Sequence, residues 1–155
     1  ETVQAGAPAT LRISVDVADA EAVEAAAERI ERELGEIDVW VNCAMTAALK
    51  FVHETPADEF RRVMEVDDLG YGRGTQSALA RMRPARPRSG RAGRLGAELP
   101  RLPLQASYCA AKFAIRGFTA GLRAELLYEQ SKIKLTMVQL PGLNTPQFTW
   151  CARRC

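Results

Sequence analysis

Tyr108 and Lys112 stand four residues apart in the stretch "ASYCAAKFAIRGF". On a helix, positions i and i+4 share a face, with Cβ atoms roughly 5–6 Å apart. A free phenol has a pKa of about 10 and is a poor base at neutral pH. A lysine cation ~5 Å away, at an effective dielectric of ~20, favours the phenolate by about 3 kcal/mol. The pair therefore has the makings of a general acid/base that exchanges a proton with an alcohol or carbonyl oxygen. The same spacing also arises between two ordinary helical residues, so the pair gains meaning only from what surrounds it.

The surrounding elements alternate. "LRISVDV" (11–17) is a β-branched run that reads as a buried strand. The helix after it carries Val23, Ala27, Ile30 and Leu34 at helical spacing, with Asp19 placed to cap its start and Gly35 to stop it. "IDVWVN" is a continuous apolar run, expected for a strand covered on both faces. Thr55, Pro56 and Asp58 form a capping-box start for a helix extending to about Met82, with "GYGRG" weakening its middle. A third helix is expected over 106–128, and "KIKLTMVQLPG" reads as a strand ending at Pro141-Gly142. Alternating strands and helices predict an α/β fold: a parallel sheet, doubly wound, with helices on both faces.

The 155 residues suffice for one domain with a sizeable core, and a hydrophobic share of 47% keeps the chain among globular proteins. A net charge of +2 argues neither for nor against nucleic acid. The charge is uneven, since residues 81–94 hold six arginines and no acid. Cys43, Cys109, Cys151 and Cys155 match no zinc spacing and are read as reduced thiols of a cytoplasmic protein. No apolar run reaches the ~18 residues of a membrane span. The opening lacks Met and has only a short polar lead into "LRISVDV", which is the pattern expected of a fragment.

Three stretches, "VNCAMT", "SYCAAKFAIRGFTAGLRAEL" and "VQLPGLNTP", together resemble the short-chain dehydrogenase/reductase family, from about Leu11 to Phe148 with the exception of 84–101. The resemblance implies a truncated Rossmann-type dinucleotide-binding domain over 1–155, NAD or NADP as cofactor, and a small-molecule alcohol or ketone as substrate. It makes Tyr108 the proton donor/acceptor and Lys112 the residue that tunes it and holds the nicotinamide ribose. Asp16 matches the adenine-contacting Asp, and Val17 the neighbouring backbone contact. Asn42, Cys43 and Ala44 match an Asn-Asn-Ala-Gly element that braces the sheet, with Cys43 in place of its second Asn and Met45 in place of its Gly. Pro141, Gly142 and Thr145 match a loop that touches the nicotinamide amide, although Thr145 comes one residue early. Asn42 and Pro-Gly also read as plain strand-ending turn residues. Family members commonly pair through helices matching 55–82 and 106–128, so the resemblance allows a homo-oligomer.

The departures are specific. The Gly-rich loop that cradles a pyrophosphate at a helix N-terminus is absent from these residues. The family's catalytic Asn maps to Asp67, which reads equally as an exposed helical acid. Its Ser, thirteen residues before the Tyr, maps to Leu95. Between Pro84 and Gln105 there is no Val, Ile, Phe, Tyr or Trp, and proline and glycine disfavour a central strand there. Three readings of this irregular segment stay open: an arginine-rich arm for nucleic acid or targeting, a disordered insertion, and a shifted reading frame. In the last, "RSGRAGRLGAELP" read one base later through permitted codons becomes "GRVVQVGSALSYR", an apolar strand whose serine falls opposite Leu95. The resemblance then describes an oxidoreductase, inactive as written, and the alternative is a non-catalytic pseudoenzyme or a binding module using the arginines.

Overall fold

The computed structural model describes residues 9–83, the backbone of 91–95, and 103–138. Its first regular element is α1 (Ala20–Leu34). Asp19 caps it by accepting the Ala22 N–H at 3.0 Å, which satisfies one of the helix's orphan donors. Gly35 ends it at φ +94°, a conformation that an L side chain rarely adopts. Val23 and Ala27 are buried as the periodicity requires, while Leu34, the last of the expected stripe, is exposed.

Three strands, β1 (Val39–Asn42), β2 (Arg91–Leu95) and β3 (Lys134–Val138), form a parallel sheet in that order. Val39 pairs with Arg91, and Arg91 with Lys134. This corrects the expectation that the arginine- and glycine-rich segment is unfit for the central position. A ladder is made of backbone groups that every non-proline residue carries. The four prolines of the segment (84, 87, 100 and 103) all fall outside 91–95, and Gly93 weakens the strand without removing a donor.

Two further expectations are revised. Residues 11–17 make no ladder. They run extended, with Leu11, Ile13, Val15 and Val17 half-buried and Arg12, Ser14 and Asp16 exposed. In a doubly wound sheet of order 3-2-1-4-5-6 the third strand bonds only to the second, and β1, β2 and β3 supply no such neighbour. Nor is β1 covered on both faces: Trp40 and Asn42 are half-buried, whereas Val39 and Val41 are 55% and 49% exposed.

After β1, a 3-10 turn (Val52–Glu54) precedes α2 (Ala57–Met64), a π turn (Glu65–Leu69) and α3 (Gly70–Met82), which together form one helical run. Thr55 does not cap it. Its hydroxyl points back and donates to the Phe51 carbonyl at 2.9 Å, closing the 3-10 turn and leaving Pro56 at the cap position. The expected weak middle of this run is where it packs tightest. A Cβ on Gly70 would meet Val17 at 2.8 Å, and one on Gly74 would overlap the Asn42 carboxamide. Only glycine lets the helix come this close.

The long helix α4 (Ala106–Tyr128) has the expected bounds. Its buried stripe runs Tyr108, Ala111, Ile115, Thr119, Leu122, Leu126. Leu122 and Leu126 pack on Ile133 with Leu79, Met82 and Leu135, while Ala111 packs with Ala48, Val63 and Met64. The described helices also pack on one another: α1 on α3, and both α2 and α3 on α4. They cover the side of the sheet that carries Trp40, Asn42 and Leu135. Among the described residues no helix is long and apolar enough to cross a membrane. Cys43 and Cys109 are free thiols, and Cys151 and Cys155 lie outside the described residues.

Arg81, largely buried, joins α3 to α1 through Glu24 at 2.6 Å and Glu31 at 3.0 Å, and Ser77 donates to Glu24 at 2.8 Å. Arg81 and Ser77 hold the Glu24 carboxyl below the usual carboxylate range, and Glu24 raises the Arg81 guanidinium in return. Because the folded value for Glu24 is depressed, its contribution is present above pH 4.5 and fades as pH falls through the lowered value. Amide protection factors in α1 should fall over that acid range in the parent, and less so in Glu24→Gln; equal acid sensitivity in both would exclude the tie. Two glycine variants separate packing from propensity. Gly72 faces open space, so Gly72→Ala should stabilise the chain by up to about 1 kcal/mol. Gly74→Ala should destabilise it by about 1–3 kcal/mol through overpacking on Asn42, as read by urea denaturation.

Candidate active site

The first turns of α4 carry both residues of the proposed acid/base pair. Tyr108 is 4% exposed, and the Lys112 ammonium lies over its ring, 4.9 Å from the centroid. The i, i+4 spacing produces this stacking directly, since side chains lean toward the helix N-terminus. A cation over an aromatic face is attracted to its electron-rich centre.

Asp67 lies against the same pair. It sits in the π turn, 1% exposed, with Oδ2 3.3 Å from Lys112 Nζ and Oδ1 accepting the Thr46 N–H at 2.7 Å. The expectation of an exposed helical acid is therefore wrong: the side chain spans from α4 to the loop after β1 and holds backbone there. Burial pushes its carboxyl above the usual range, against the opposing pull of Lys112 and the Thr46 amide. The sequence does contain a signal for this. Val63, Val66, Asp67, Gly70, Tyr71 and Gly74 fall at helical spacing on one stripe, so Asp67 is an acid in a buried register.

Asn42 ends β1 and braces it. Its Oδ1 accepts the Trp40 indole N–H at 2.8 Å, and its Nδ2 donates to Thr75 Oγ1 at 3.0 Å. Thr75 in turn donates to the Tyr71 carbonyl at 2.8 Å, so the strand end is fixed to α3. Cys43, Ala44 and Met45 come next and are exposed. On the other side, Asp16 Oδ1 accepts the Ala18 N–H at 3.0 Å and Oδ2 pairs with Arg62 at 2.9 Å. The Ala18 amide, then Arg62, hold this carboxyl below its usual range.

A largely apolar cavity of about 280 Å³ brings several of these residues together: Val17, Asn42, Cys43, Ala44, Asp67 and Lys112 all line it. Asp16 and Tyr108 are not among its lining residues. Pro141, Gly142 and Thr145 lie outside the described residues, as does the side chain of Leu95, whose backbone pairs with Val138. The lining offers an ammonium suited to hydroxyl groups such as those of a ribose, beside a strand end with small side chains, so the residues present fit the sugar portion of a dinucleotide. No pyrophosphate cradle belongs to this lining.

Comparison with known proteins gives the family and the fold. The family described as short chain dehydrogenase matches residues 1–151. The zebrafish 3-dehydrosphinganine reductase is 33% identical over 144 residues, covering 89% of this chain and 41% of that protein. The putative oxidoreductase SadH of Mycobacterium tuberculosis is 33% identical over 84% of this chain and 48% of its own length. Among solved structures, a short-chain dehydrogenase from Streptomyces avermitilis superimposes with a TM-score of 0.79 at 27% identity, over 93% of this chain and 52% of that one. An alcohol dehydrogenase from Thermococcus sibiricus, complexed with 5-hydroxy-NADP, shares the fold with a TM-score of 0.74 at 23% identity, over 85% of this chain and 54% of that one. The chain thus spans about half the length, or less, of the proteins it matches. The profile match, the two relatives and the shared Rossmann-type sheet establish that the chain belongs to the short-chain dehydrogenase family.

Proposed function

We propose that the parent of this chain is an NAD(P)-dependent oxidoreductase that interconverts an alcohol and a carbonyl, with Tyr108 as its acid/base. The observation that carries the reading is the Lys112 ammonium 4.9 Å above the Tyr108 ring, with Asp67 and the β1 end arranged around it. When bound, the nicotinamide supplies or accepts the hydride. Tyr108 gives its phenolic proton to the substrate oxygen in reduction and takes it back in oxidation. Lys112 keeps positive charge beside that oxygen, favouring the phenolate between turnovers, and orients the ribose hydroxyls. Asn42 and Ala44 shape the strand end, Asp16 and Val17 serve the adenine end, and Pro141, Gly142 and Thr145 serve the nicotinamide amide. The substrate is a small alcohol or ketone, the site of action the cytoplasm, and the helices 57–82 and 106–128 offer a surface for a homo-oligomer.

The chain as written is inactive on this reading. Leu95 cannot donate a hydrogen bond to a substrate carbonyl, and residues 1–155 include no Gly-rich pyrophosphate loop. The arginine-rich run is then the product of a shifted frame, with "GRVVQVGSALSYR" as the parent sequence. A truncated pseudoenzyme is the outcome if these replacements are genuine, and Leu95 at the end of β2 is the observation that favours it.

Two measurements test the reading. Calorimetry on the 155-residue chain should give no micromolar affinity for NAD or NADP, because the charge-matched phosphate site is missing. A repaired enzyme, carrying the serine-bearing strand and a Gly-rich strand-helix unit from a relative, should oxidise NADPH or NADH with some ketone or aldehyde. The serine's hydrogen bond to the developing oxyanion should contribute ~3–4 kcal/mol to that rate. In it, Tyr108→Phe should cut turnover by about 10²–10⁴-fold with cofactor affinity nearly intact, while Lys112→Ala should damage both. Unchanged turnover in Tyr108→Phe on an active substrate would reduce the pair to neighbours on a helix.

A further inference from the structure

We propose that Phe51, Val52 and Leu104 form an apolar rim that seats the long unbranched alkyl chain of an uncharged carbonyl substrate, which rests on the reading of Tyr108 as the proton donor to that carbonyl. The loop that carries the rim is continuous with the site. Ala44 lines the cavity, the Thr46 N–H donates to Asp67, Ala48 packs with Ala111 of α4, and the Lys50 N–H donates to the Leu104 carbonyl at 3.0 Å. Leu104 stands four residues before Tyr108, a span of about 6 Å if helical and about 14 Å at full extension. At this joint the side chains are apolar and exposed: Phe51 and Val52 by 52% and 66%, and Leu104 by 40%.

Two observations separate the rim from apolar residues scattered singly over a surface. The turn that carries it is fixed. Lys50 Nζ pairs with Glu59 at 2.8 Å, and the Phe51 carbonyl accepts both the Thr55 hydroxyl at 2.9 Å and the Glu54 N–H at 3.0 Å. Phe51 and Val52 are thus held in the open by polar ties on either side, a pre-organised contact surface rather than a loose end. The backbone of Leu104 is also strained. Its φ of +67° is a left-handed conformation that glycine adopts freely and leucine does not. A leucine there keeps a large apolar side chain exposed where a glycine would relax the chain, and strain of this kind points to function. The Lys50 charge is balanced by Glu59, so the rim favours an uncharged chain over an anionic one. A ligand whose carbonyl meets Tyr108 covers the distance to Leu104 only with a chain of several carbons.

The test is the binding of straight-chain methyl ketones of six, eight and ten carbons to the 155-residue chain, ranked by saturation-transfer NMR. Each pair of added carbons should tighten binding about fourfold or more, since one methylene taken out of water contributes about two- to fourfold. The double variant Phe51→Ser, Val52→Ser should lose that gain. It should bind the ten-carbon ketone about tenfold more weakly, with the six-carbon ketone nearly unchanged. Flat affinity across the series, or equal ten-carbon affinity in parent and double variant, would overturn the proposal. Binding of neutral phosphatidylcholine vesicles in place of the ketones would overturn it too, by making the turn a membrane contact. If the double variant does not fold, Leu104→Gly carries the test. It relieves the positive φ, so its urea midpoint should rise while its ten-carbon affinity falls about threefold or more. A falling midpoint, or an affinity that holds, would make Leu104 a packing residue and overturn the proposal. All readouts are taken without cofactor. Their failure leaves the oxidoreductase reading standing with a different substrate, and an inactive repaired enzyme leaves the rim's affinity for alkyl chains standing.

Discussion

A carboxylate taken fully out of water must find partners, and the partners of Asp67 fix the relative placement of three elements. The desolvation penalty is several kcal/mol for a buried ion and is repaid only by close, well-directed contacts. Here those contacts are the Thr46 amide, on the loop leaving β1, and the Lys112 ammonium, on α4. Asp67 sits in the π turn (Glu65–Leu69), a kind of turn that recurs at functional sites. Once Asp67 is placed, Lys112 is placed, and with it the ring of Tyr108 beneath.

The glycines of α3 serve the same geometry from the opposite side. Helix propensity alone makes "GYGRG" a weak point. Packing outweighs propensity at two of its three glycines. Gly70 admits Val17, and Gly74 admits the Asn42 carboxamide, which there reaches both Trp40 and Thr75. A half-buried carboxamide with its partners met rigidifies its surroundings, so the end of β1 is held against α3. The strand end and the π turn are thereby fixed on one helical run, and the cavity between them keeps its polar groups at defined corners.

Legibility in the sequence depends on which interactions are local. The caps of α1, its stripe, and the bounds of α4 depend on neighbours within a few residues, and they appear where periodicity and capping place them. The Tyr108–Lys112 stacking is likewise a consequence of one helical turn. Features that depend on distant partners are less readable. The run 11–17 has strand character but no ladder neighbour. Thr55 has a good acceptor behind it and so does not cap. The central strand is decided by the open edges of β1 and β3 rather than by side chains, so composition misjudges Arg91–Leu95. Asp67 is legible as a matched position but not as a buried ion, because its partners lie 21 residues before it in the chain, at Thr46, and on α4.

These distinctions separate the geometry of the site from its chemistry. The described contacts around Tyr108 and Lys112 run through α4, the π turn and the loop after β1. The backbone of Leu95 still pairs with Val138, so the ladder does not register what its side chain is. On the proposed reading, Leu95 offers no hydrogen-bond donor to a developing oxyanion, and the backbone ladder is indifferent to that loss. In a fold whose sheet is built from backbone and whose helices are anchored by a buried charge, a side chain at a strand end can be exchanged without the ladder reporting it.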